Sequence, residues 1–258
     1  MSLIITIHVE EGIVMASDSR TTFNRQDFSP LPDGKGAIIT RDQGVHYSDT
    51  TYKTFLAPNN VGISTCGAAA INGKPLTGYV EKFIHESINK DTAISEIPSL
   101  LLEHFKRFSP VPDIIFQVAG YLKEETDINQ KVYRVFVAAN QFEVIDTSSQ
   151  GAAWNGETEI LSRIINSMWT QRKEKNQETG EEIILYDELK APPIPWNFFS
   201  LQDGIDFATY AINTTIETMR FRERLKTVGG PIDILIVKPD GAFWASHKTL
   251  HVRGKGTR

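Results

Sequence analysis

The residue that is the clearest candidate for a reactive group lies at the start of the chain. Ser2 directly follows Met1, and removal of an initiator methionine before a small residue would leave a hydroxyl and a free α-amino group on Ser2. A serine hydroxyl attacks a carbonyl carbon only when a base takes its proton, and a neutral N-terminal amine is one such base. Ser2 is therefore one candidate nucleophile, and the alternative is that it is only a small second residue that permits methionine removal.

The elements that would position Ser2 begin immediately after it. Residues 3–9 alternate in polarity, and the turn EEG leads into IVMAS, which together predict a β-hairpin. Further strands are predicted at YKTFLA, VGISTCG, DIIFQVAGYL, KVYRVFVAA and FEVIDT, and a C-terminal hairpin at IDILIVKPDGAFWAS turns at Asp240-Gly241. Helical spacing is found in AAAINGKPLTGYVEKFIHESINK, AISEIPSLLLEHFKRF, TEILSRIINSMW and GIDFATYAINTTIETMRF.

The order of these elements predicts the fold class. The predicted order is strands, two helices, strands, two helices and again strands. This order favours an α+β protein in which two sheets stack and helices cover the outside. Two segments lack a clear pattern. Residues 23–48 contain the predicted loop SPLPDGKG and one short strand, AIIT, while residues 170–203 are first charged and then rich in proline, which is typical of a long loop.

Four stretches resemble the proteasome-type N-terminal nucleophile (Ntn) hydrolases, which include the proteasome β subunits, the HslV peptidase and the Anbu proteins. They are GIVMASDSRTT, YKTFLAPNNVGISTCGAAA, AAWNGETEI and VGGPIDILIVKPDG, in family order over most of the chain. The resemblance implies a four-layer αββα sandwich that forms a single domain over residues 1–258. Residues 23–48 and 170–203 are then insertions that serve as lids, pocket walls or assembly contacts.

The resemblance also implies roles for residues around Ser2. The family's N-terminal residue is its nucleophile, and its acidic residue lies sixteen positions later, which gives Ser2 and Asp18 here. No propeptide is then needed. The family's lysine lies fourteen positions before an oxyanion-binding glycine, which gives Lys53 and Gly67. The lysine ammonium would keep the nearby α-amine neutral, the carboxylate would hold the lysine, and the glycine N–H would stabilise the oxyanion. Lys35, in the loop DGKG, does not have this spacing.

The second half of the chain departs from the family pattern. Asn155 replaces the usual serine before a glycine, and we expect its amide to hold the terminal amine in place of a hydroxyl. An aspartate and a serine normally precede the Gly-Gly pair, where this chain has Leu225 and Val228. Neither side chain can bind the amine, so the sequence leaves open whether activity is weak or other groups hold the amine.

The resemblance implies a pocket for the substrate side chain that precedes the cleaved bond. Its walls would be Thr21, Thr51, Thr65 and Ala69, grouped around Gly67. None of these four carries a charge, and an unpaired charge buried among them would be costly. We therefore expect a preference for uncharged, mainly apolar side chains.

Composition restricts the partners and the compartment. The 258 residues carry a net charge of −5, which gives no general attraction to nucleic acid or to an anionic membrane. Cys66 is the single cysteine, so no intramolecular disulfide can form, and the chain has no secretory signal and no apolar run of about 18 residues. We expect a cytoplasmic protein that binds neither nucleic acid nor membranes.

Two other sets of residues could carry chemistry. Cys66 could be a thiol nucleophile, but its apolar strand and the lack of a nearby histidine favour a small buried side chain. His247 and His251 are four residues apart in or beyond a strand, where this spacing does not bring two side chains together. We therefore expect no metal site and no cofactor.

The preferred hypothesis is a peptidase that cleaves peptides or unfolded proteins with Ser2. The resemblance implies a homo-oligomer, arranged as a ring or a spiral, and an ATPase unfoldase as a further partner. One alternative keeps the chemistry but acts on small substrates, as an amidase or acyl-transfer enzyme. The other is a structural or regulatory subunit that keeps the fold without catalysis.

Overall fold

The computed structural model describes residues 2–30, 37–123, 127–176 and 180–250. Within these ranges the chain forms a mixed α+β structure with several antiparallel sheets and four α-helices. Residues 31–36 of the predicted loop SPLPDGKG, including Lys35, lie outside the described residues, and so do Met1 and His251.

One five-stranded antiparallel sheet carries Ser2 at one end. Its strand order is β12-β1-β2-β15-β16, formed by Leu3–Val9 (β1), Gly12–Ser17 (β2), Gly151–Gly156 (β12), Asp233–Lys238 (β15) and Gly241–Ser246 (β16). Every residue of β1 and β2 is buried, since both faces of this sheet are covered. The two predicted hairpins are confirmed, but the second one turns at Pro239-Asp240, one residue earlier than predicted.

The second five-stranded sheet is also antiparallel. Its order is β11-β10-β9-β6-β5, formed by Thr54–Leu56 (β5), Gly62–Gly67 (β6), Ile114–Lys123 (β9), Ile128–Phe136 (β10) and Gln141–Ile145 (β11). These five strands confirm the strands predicted from the sequence. A small ladder of Ala70–Ile71 (β7) and Lys74–Pro75 (β8) follows β6.

The two sheets contact each other through apolar side chains. The residues packed between them are Ile13, Met15, Ala119, Val132, Leu235 and Val237. Gly62 allows this close approach, because a Cβ at this position would lie 2.3 Å from the Met15 sulfur. The contact aligns the end of β2 with the start of β5, and this is where the candidate site lies.

A long helix, Leu201–Arg220 (α4), covers the first sheet and packs against β1 and β2. Its predicted apolar spacing is confirmed, with Ala208, Ile212 and Met219 buried in the core on this side. The Ser200 hydroxyl accepts from the Asp203 N–H and the Asp203 carboxylate accepts from the Ser200 N–H, a capping box that fixes the start of the helix. The short helix Glu159–Ile165 (α3) packs beside α4.

Two helices, Leu76–Ser87 (α1) and Ile97–Phe105 (α2), cover the second sheet and bury Phe83 and Leu101 with its apolar side chains. Three of the predicted helices are shorter than expected, and α2 covers only the middle of its predicted segment. The first begins only at Leu76, because the preceding residues form β7 and β8, and α3 ends at Ile165, where extended backbone at Asn166 leads into a strand. No helix among the described residues is long and apolar enough to cross a bilayer.

Two pairs of antiparallel strands occupy much of the two segments that lack a clear sequence pattern. Thr21–Pro30 (β3) pairs with Ala37–Ser48 (β4), and Met168–Lys175 (β13) pairs with Glu182–Leu189 (β14). The single strand predicted at AIIT is therefore too short, and residues 170–175 and 182–189 are strands where a loop is predicted. Backbone pairing in a solvent-exposed ladder needs no apolar face, so a hydrophobic pattern could not predict β13 and β14.

Candidate active site

The Asp18 carboxylate forms the buried centre of the site, directly after β2. It accepts hydrogen bonds from the backbone N–H groups of Leu3 (3.1 Å), Arg20 (3.0 Å) and Gly229 (2.9 Å) and from the Lys53 ammonium (2.8 Å). Asp18 is fully buried, so these four donors replace the water that the charge loses. They also fix the direction of the carboxylate toward Lys53.

Lys53 lies just before β5 and points its ammonium at Asp18. Besides the carboxylate, the ammonium contacts the Arg20 carbonyl oxygen, and the Lys53 backbone carbonyl accepts from the Thr65 N–H at 2.8 Å. Only 4% of the side chain is exposed. Burial lowers the pKa of Lys53, while the nearby Asp18 charge opposes that effect. Lys53 is thus a buried cation with a single carboxylate partner at hydrogen-bond distance among the described residues.

Ser2 directly precedes β1 and is held in place by backbone hydrogen bonds. Its carbonyl oxygen accepts from the Glu157 N–H at 2.8 Å, and the next residue, Leu3, donates to Asp18. Gly156 makes this approach possible: its φ is +97°, and a Cβ there would lie 1.8 Å from the Ser2 carbonyl oxygen. Ser2 is 7% exposed and buried except on the side of the cavity.

Gly67 ends β6 in a backbone conformation that favours glycine. Its φ is +107°, and a Cβ would lie 2.4 Å from the carbonyl oxygen of Asp113. The same oxygen accepts from the Ala68 N–H at 2.8 Å, which fixes the turn after the strand. The Gly67 backbone is therefore fixed beside the cavity described next.

One cavity of about 30 Å³ brings most of the predicted residues together. Its lining includes Ser2, Lys53, Gly67 and the four predicted pocket residues Thr21, Thr51, Thr65 and Ala69. Asp18 joins this group through its ion pair with Lys53. One water molecule needs a cavity volume of roughly 10–15 Å³, so this cavity has room for about two waters.

Asn155 lies near the site but has another partner. It pairs with Ile4 across β12 and β1, and its side-chain oxygen accepts from the Gln117 amide at 2.8 Å. Gln117 in turn accepts from the Thr6 hydroxyl at 2.6 Å, so Asn155 belongs to a polar network between the sheets. The expected contact with the terminal amine stays a prediction, and the amide oxygen is already used.

The remaining predicted positions are structural in character. Cys66 is buried, which raises the pKa of its thiol to about 12, so the thiol is protonated at neutral pH and the predicted small buried side chain is confirmed. Val228 is buried beside α4, whereas Leu225 is 37% exposed. His247 stacks on Trp244 with ring centroids 3.9 Å apart.

Sequence reasoning missed two features next to Asp18. The first is a bidentate ion pair in which the Arg20 guanidinium donates to the two Asp49 carboxylate oxygens at 2.6 and 2.7 Å. The second is the backbone of Gly229, whose N–H binds Asp18 and whose carbonyl accepts from Ser19. A Cβ at Gly229 would lie 2.6 Å from the Arg20 guanidinium carbon, so the Gly-Gly pair in the sequence was the available signal.

Comparison with known proteins gives a likeness in structure only. No protein-family model matches the chain, and no curated protein matches its sequence. The Gly-1 mutant of Anbu from Hyphomicrobium sp. strain MC1 is similar, with a TM-score of 0.56 and 12% identity over 96% of this chain and 86% of that chain. Anbu, an ancestral beta-subunit, from Yersinia bercovieri is also similar, with a TM-score of 0.54 and 15% identity over 94% of this chain and 86% of that chain.

Another crystal form of Anbu from Hyphomicrobium sp. strain MC1 gives a TM-score of 0.53 and 13% identity over 96% of this chain and 88% of that chain. At such low identity the likeness shows the fold alone. The chain therefore has a fold similar to that of Anbu, a proteasome beta-subunit-like protein.

Proposed function

We propose that this protein is a proteasome-like N-terminal nucleophile hydrolase that cleaves peptide bonds with Ser2 after Met1 has been removed. The observation that carries the proposal is the buried Asp18–Lys53 pair joined to a cavity that Ser2 and Gly67 also line. A fully hydrogen-bonded carboxylate that holds a lysine beside a serine is the arrangement that a lysine-assisted nucleophile needs. The Anbu-like fold supports the same assignment.

In the first half of the reaction, the Ser2 α-amine takes the proton of the Ser2 hydroxyl. The hydroxyl oxygen then bonds to the carbonyl carbon of the substrate, and the Gly67 N–H binds the oxyanion that forms. Collapse of this intermediate breaks the C–N bond, and the departing amine takes the proton from the α-ammonium group. The acyl group stays on Ser2 as an ester.

In the second half, water replaces the departed amine. The neutral α-amine takes a proton from the water, whose oxygen attacks the ester carbonyl carbon, and the ester C–O bond breaks. The proton returns to the serine oxygen, which restores Ser2 and releases a carboxylic acid. The Lys53 charge favours the neutral form of the amine throughout, and Asp18 keeps Lys53 in place.

The architecture supports the rest of the proposal. With α4 and α3 on one sheet and α1 and α2 on the other, we infer a four-layer αββα sandwich that forms one domain over residues 1–258. The likeness to Anbu, an ancestral beta-subunit, supports self-association. Thr21, Thr51, Thr65 and Ala69 would contact the substrate side chain before the cleaved bond, where an uncharged group fits best.

One observation favours a second candidate function. The cavity of about 30 Å³ has no room for a large side chain without movement of its walls. A small-substrate amidase or acyl-transfer enzyme would use the same Ser2 chemistry on a ligand that such a cavity admits. A panel containing both peptides and small amides separates the two functions.

The Ser2→Ala variant tests the chemistry. It removes the nucleophilic oxygen but leaves the backbone contacts of Ser2 unchanged, so we expect normal folding and complete loss of turnover on any substrate the wild type cleaves. Intact-mass spectrometry must first confirm that Met1 is absent from the wild-type sample. Turnover of Ser2→Ala at the wild-type rate, or an inert wild type lacking Met1 on the whole panel, would contradict the proposal.

A further inference from the structure

A second buried ion pair lies next to the candidate active site. Asp233, at the start of β15, is fully buried, and the Lys248 side chain is only 6% exposed. The Lys248 ammonium binds one Asp233 carboxylate oxygen, and the Lys248 backbone N–H donates to the other at 2.8 Å. The residues after β16 are therefore fixed to the start of β15 by both the side chain and the backbone of Lys248.

The two ion pairs are connected through the fold. Asp233 pairs with Ser17 across β15 and β2, and Ser17 directly precedes Asp18. The Lys248 ammonium lies 4.5 Å from the centroid of the Tyr52 ring, and the Lys248 carbonyl oxygen accepts from the Tyr52 hydroxyl at 3.1 Å. Tyr52 lines the Ser2 cavity and directly precedes Lys53, so Lys248 holds the chain segment that carries Lys53.

Charged and titratable groups surround both lysines. Lys53 faces Asp18 from the end of β2, Cys66 from β6 and Lys248 from the segment after β16. Burial lowers the pKa of Lys53, and the Lys248 charge lowers it further, whereas Asp18 raises it. Burial also lowers the pKa of Lys248, whereas the Asp233 and Asp18 carboxylates raise it.

Aromatic rings enclose the second pair on one side. His247 stacks on Tyr52, with centroids 5.1 Å apart, and on Trp244 at 3.9 Å. Its Nδ1 lies 3.5 Å from an Asp233 carboxylate oxygen. The Lys248 ammonium itself is held between the Tyr52 ring and the buried Asp233 carboxylate, and these two contacts fix its position.

We propose that Lys248, held by Asp233 and packed on Tyr52, is a positioning residue that places a second fixed positive charge beside the Asp18–Lys53 pair. Its catalytic consequence rests on the proposed function, but its effect on Lys53 does not. The fixed charge favours the neutral form of nearby amines, including the Ser2 α-amine that the proposed mechanism needs as a base.

The direct test measures the titration of Lys53 by NMR of the full-length protein labelled with ¹³C-lysine, with the signal assigned by Lys53→Arg. Lys248→Gln removes the charge, so the Lys53 titration midpoint should move to higher pH. Lys248→Arg keeps the charge and should leave the midpoint near that of the wild type. Lys90→Gln is the control: it removes the charge of one exposed surface lysine and should leave the Lys53 titration midpoint unchanged.

A double variant guards against a misfolded single variant. Lys248→Gln leaves the Asp233 carboxylate buried without its partner, which is destabilising, whereas Asp233→Asn with Lys248→Gln removes both charges together. Circular dichroism checks that the double variant is folded. The Lys53 midpoint should rise in this variant too, by less than in the single variant. An unchanged midpoint in a folded Lys248→Gln or double variant, or an equal rise in Lys248→Arg, would overturn the inference.

The second readout is the pH profile of kcat/KM on the substrate that the wild type cleaves best. For Lys248→Gln the acid limb should move to higher pH, so that activity at pH 6 falls roughly threefold or more relative to the alkaline plateau. A purely structural role would lower the whole profile without moving the limb. A wild type without turnover would defeat the proposed function, while the Lys53 titration would still decide the role of Lys248.

Discussion

At the scale of single residues, the Asp18–Lys53 pair is stable because its carboxylate is fully hydrogen-bonded. Three backbone N–H groups and one ammonium meet the carboxylate, and the ammonium also contacts the Arg20 carbonyl. Removal of either partner from such a pair costs about 3–5 kcal/mol, because the remaining charge is buried without compensation. Inactivity of a Lys53 or Asp18 variant is therefore ambiguous, and Ser2→Ala is the cleaner test.

Gly156 gives a prediction about how Ser2 is positioned. In Gly156→Ala the new methyl group would overlap the Ser2 carbonyl oxygen, 1.8 Å away, and would also strain a backbone φ of +97°. We expect the free energy of unfolding to fall by about 3 kcal/mol or more, measured by urea denaturation. The Ser2 backbone must also move, so activity on the wild-type substrate should be lost.

Gly73 provides the matched control. Its φ of +75° is strained for alanine in the same way, but a Cβ there would have no atom within 4 Å. Gly73→Ala should therefore cost only about 1 kcal/mol, the strain alone. Equal losses for the two variants would mean that contact with Ser2 does not explain why glycine stands at position 156.

Some of these residues could be predicted from sequence and others could not. The family resemblance identifies Asp18 and Lys53, and the structure brings them together as an ion pair. Asp233 and Lys248 carry no such signal, because their contact depends on how the chain turns after β16. For Asn155 the sequence predicts a possible hydrogen bond to the terminal amine, because its side chain is an amide. The sequence could not show that the side-chain oxygen instead accepts from Gln117, since this depends on how the strands pair.

At the scale of elements, hydrophobic pattern predicted the strands and helices that face a core. It failed for β13 and β14, which are joined by diagonal ion pairs: Arg172 contacts Asp187 at 2.7 Å and Lys173 contacts Glu182 at 3.1 Å. Such a ladder is held by backbone hydrogen bonds and exposed ion pairs, and neither produces apolar alternation. The length of the segment and its charged, then proline-rich composition therefore favour a loop in the sequence analysis.

The same exposure predicts that the β13–β14 hairpin adds little to stability. Met168 and Leu189 are cross-strand partners, so residues 169–188 can be replaced by Asn-Gly, which closes a two-residue turn between them. Nearly every residue of this ladder is exposed, so we expect the free energy of unfolding to stay within about 1 kcal/mol of the wild type in urea.

A core variant shows that the assay can detect a real loss. Phe116 on β9 is fully buried, and Phe116→Ala should cost about 3–5 kcal/mol in the same titration. If removal of the hairpin cost as much as Phe116→Ala, the hairpin would be part of the core structure, contrary to the exposure of its side chains.

At the scale of the whole molecule, the described surface carries many large apolar side chains. Those at least 40% exposed include Phe142, Val144, Trp169, Tyr186, Phe198 and Phe221. Phe142 and Val144 lie on the same face of β11, and exposed apolar side chains that are grouped in this way commonly mark sites of protein contact. The helices that cover both sheets leave these side chains uncovered in a single chain, which fits a protein that works as a subunit.

The last prediction is therefore that the protein self-associates. Light scattering coupled to size-exclusion chromatography should give a mass several times the 28.9 kDa of one chain, and closed symmetry should keep that mass constant on dilution. Ser2→Ala should give the same mass, because Ser2 is buried beside an internal cavity and its backbone contacts remain. A mass of one chain at every concentration, with turnover intact, would show that the Ser2 chemistry works in an isolated subunit and would favour the small-substrate enzyme over the assembled peptidase.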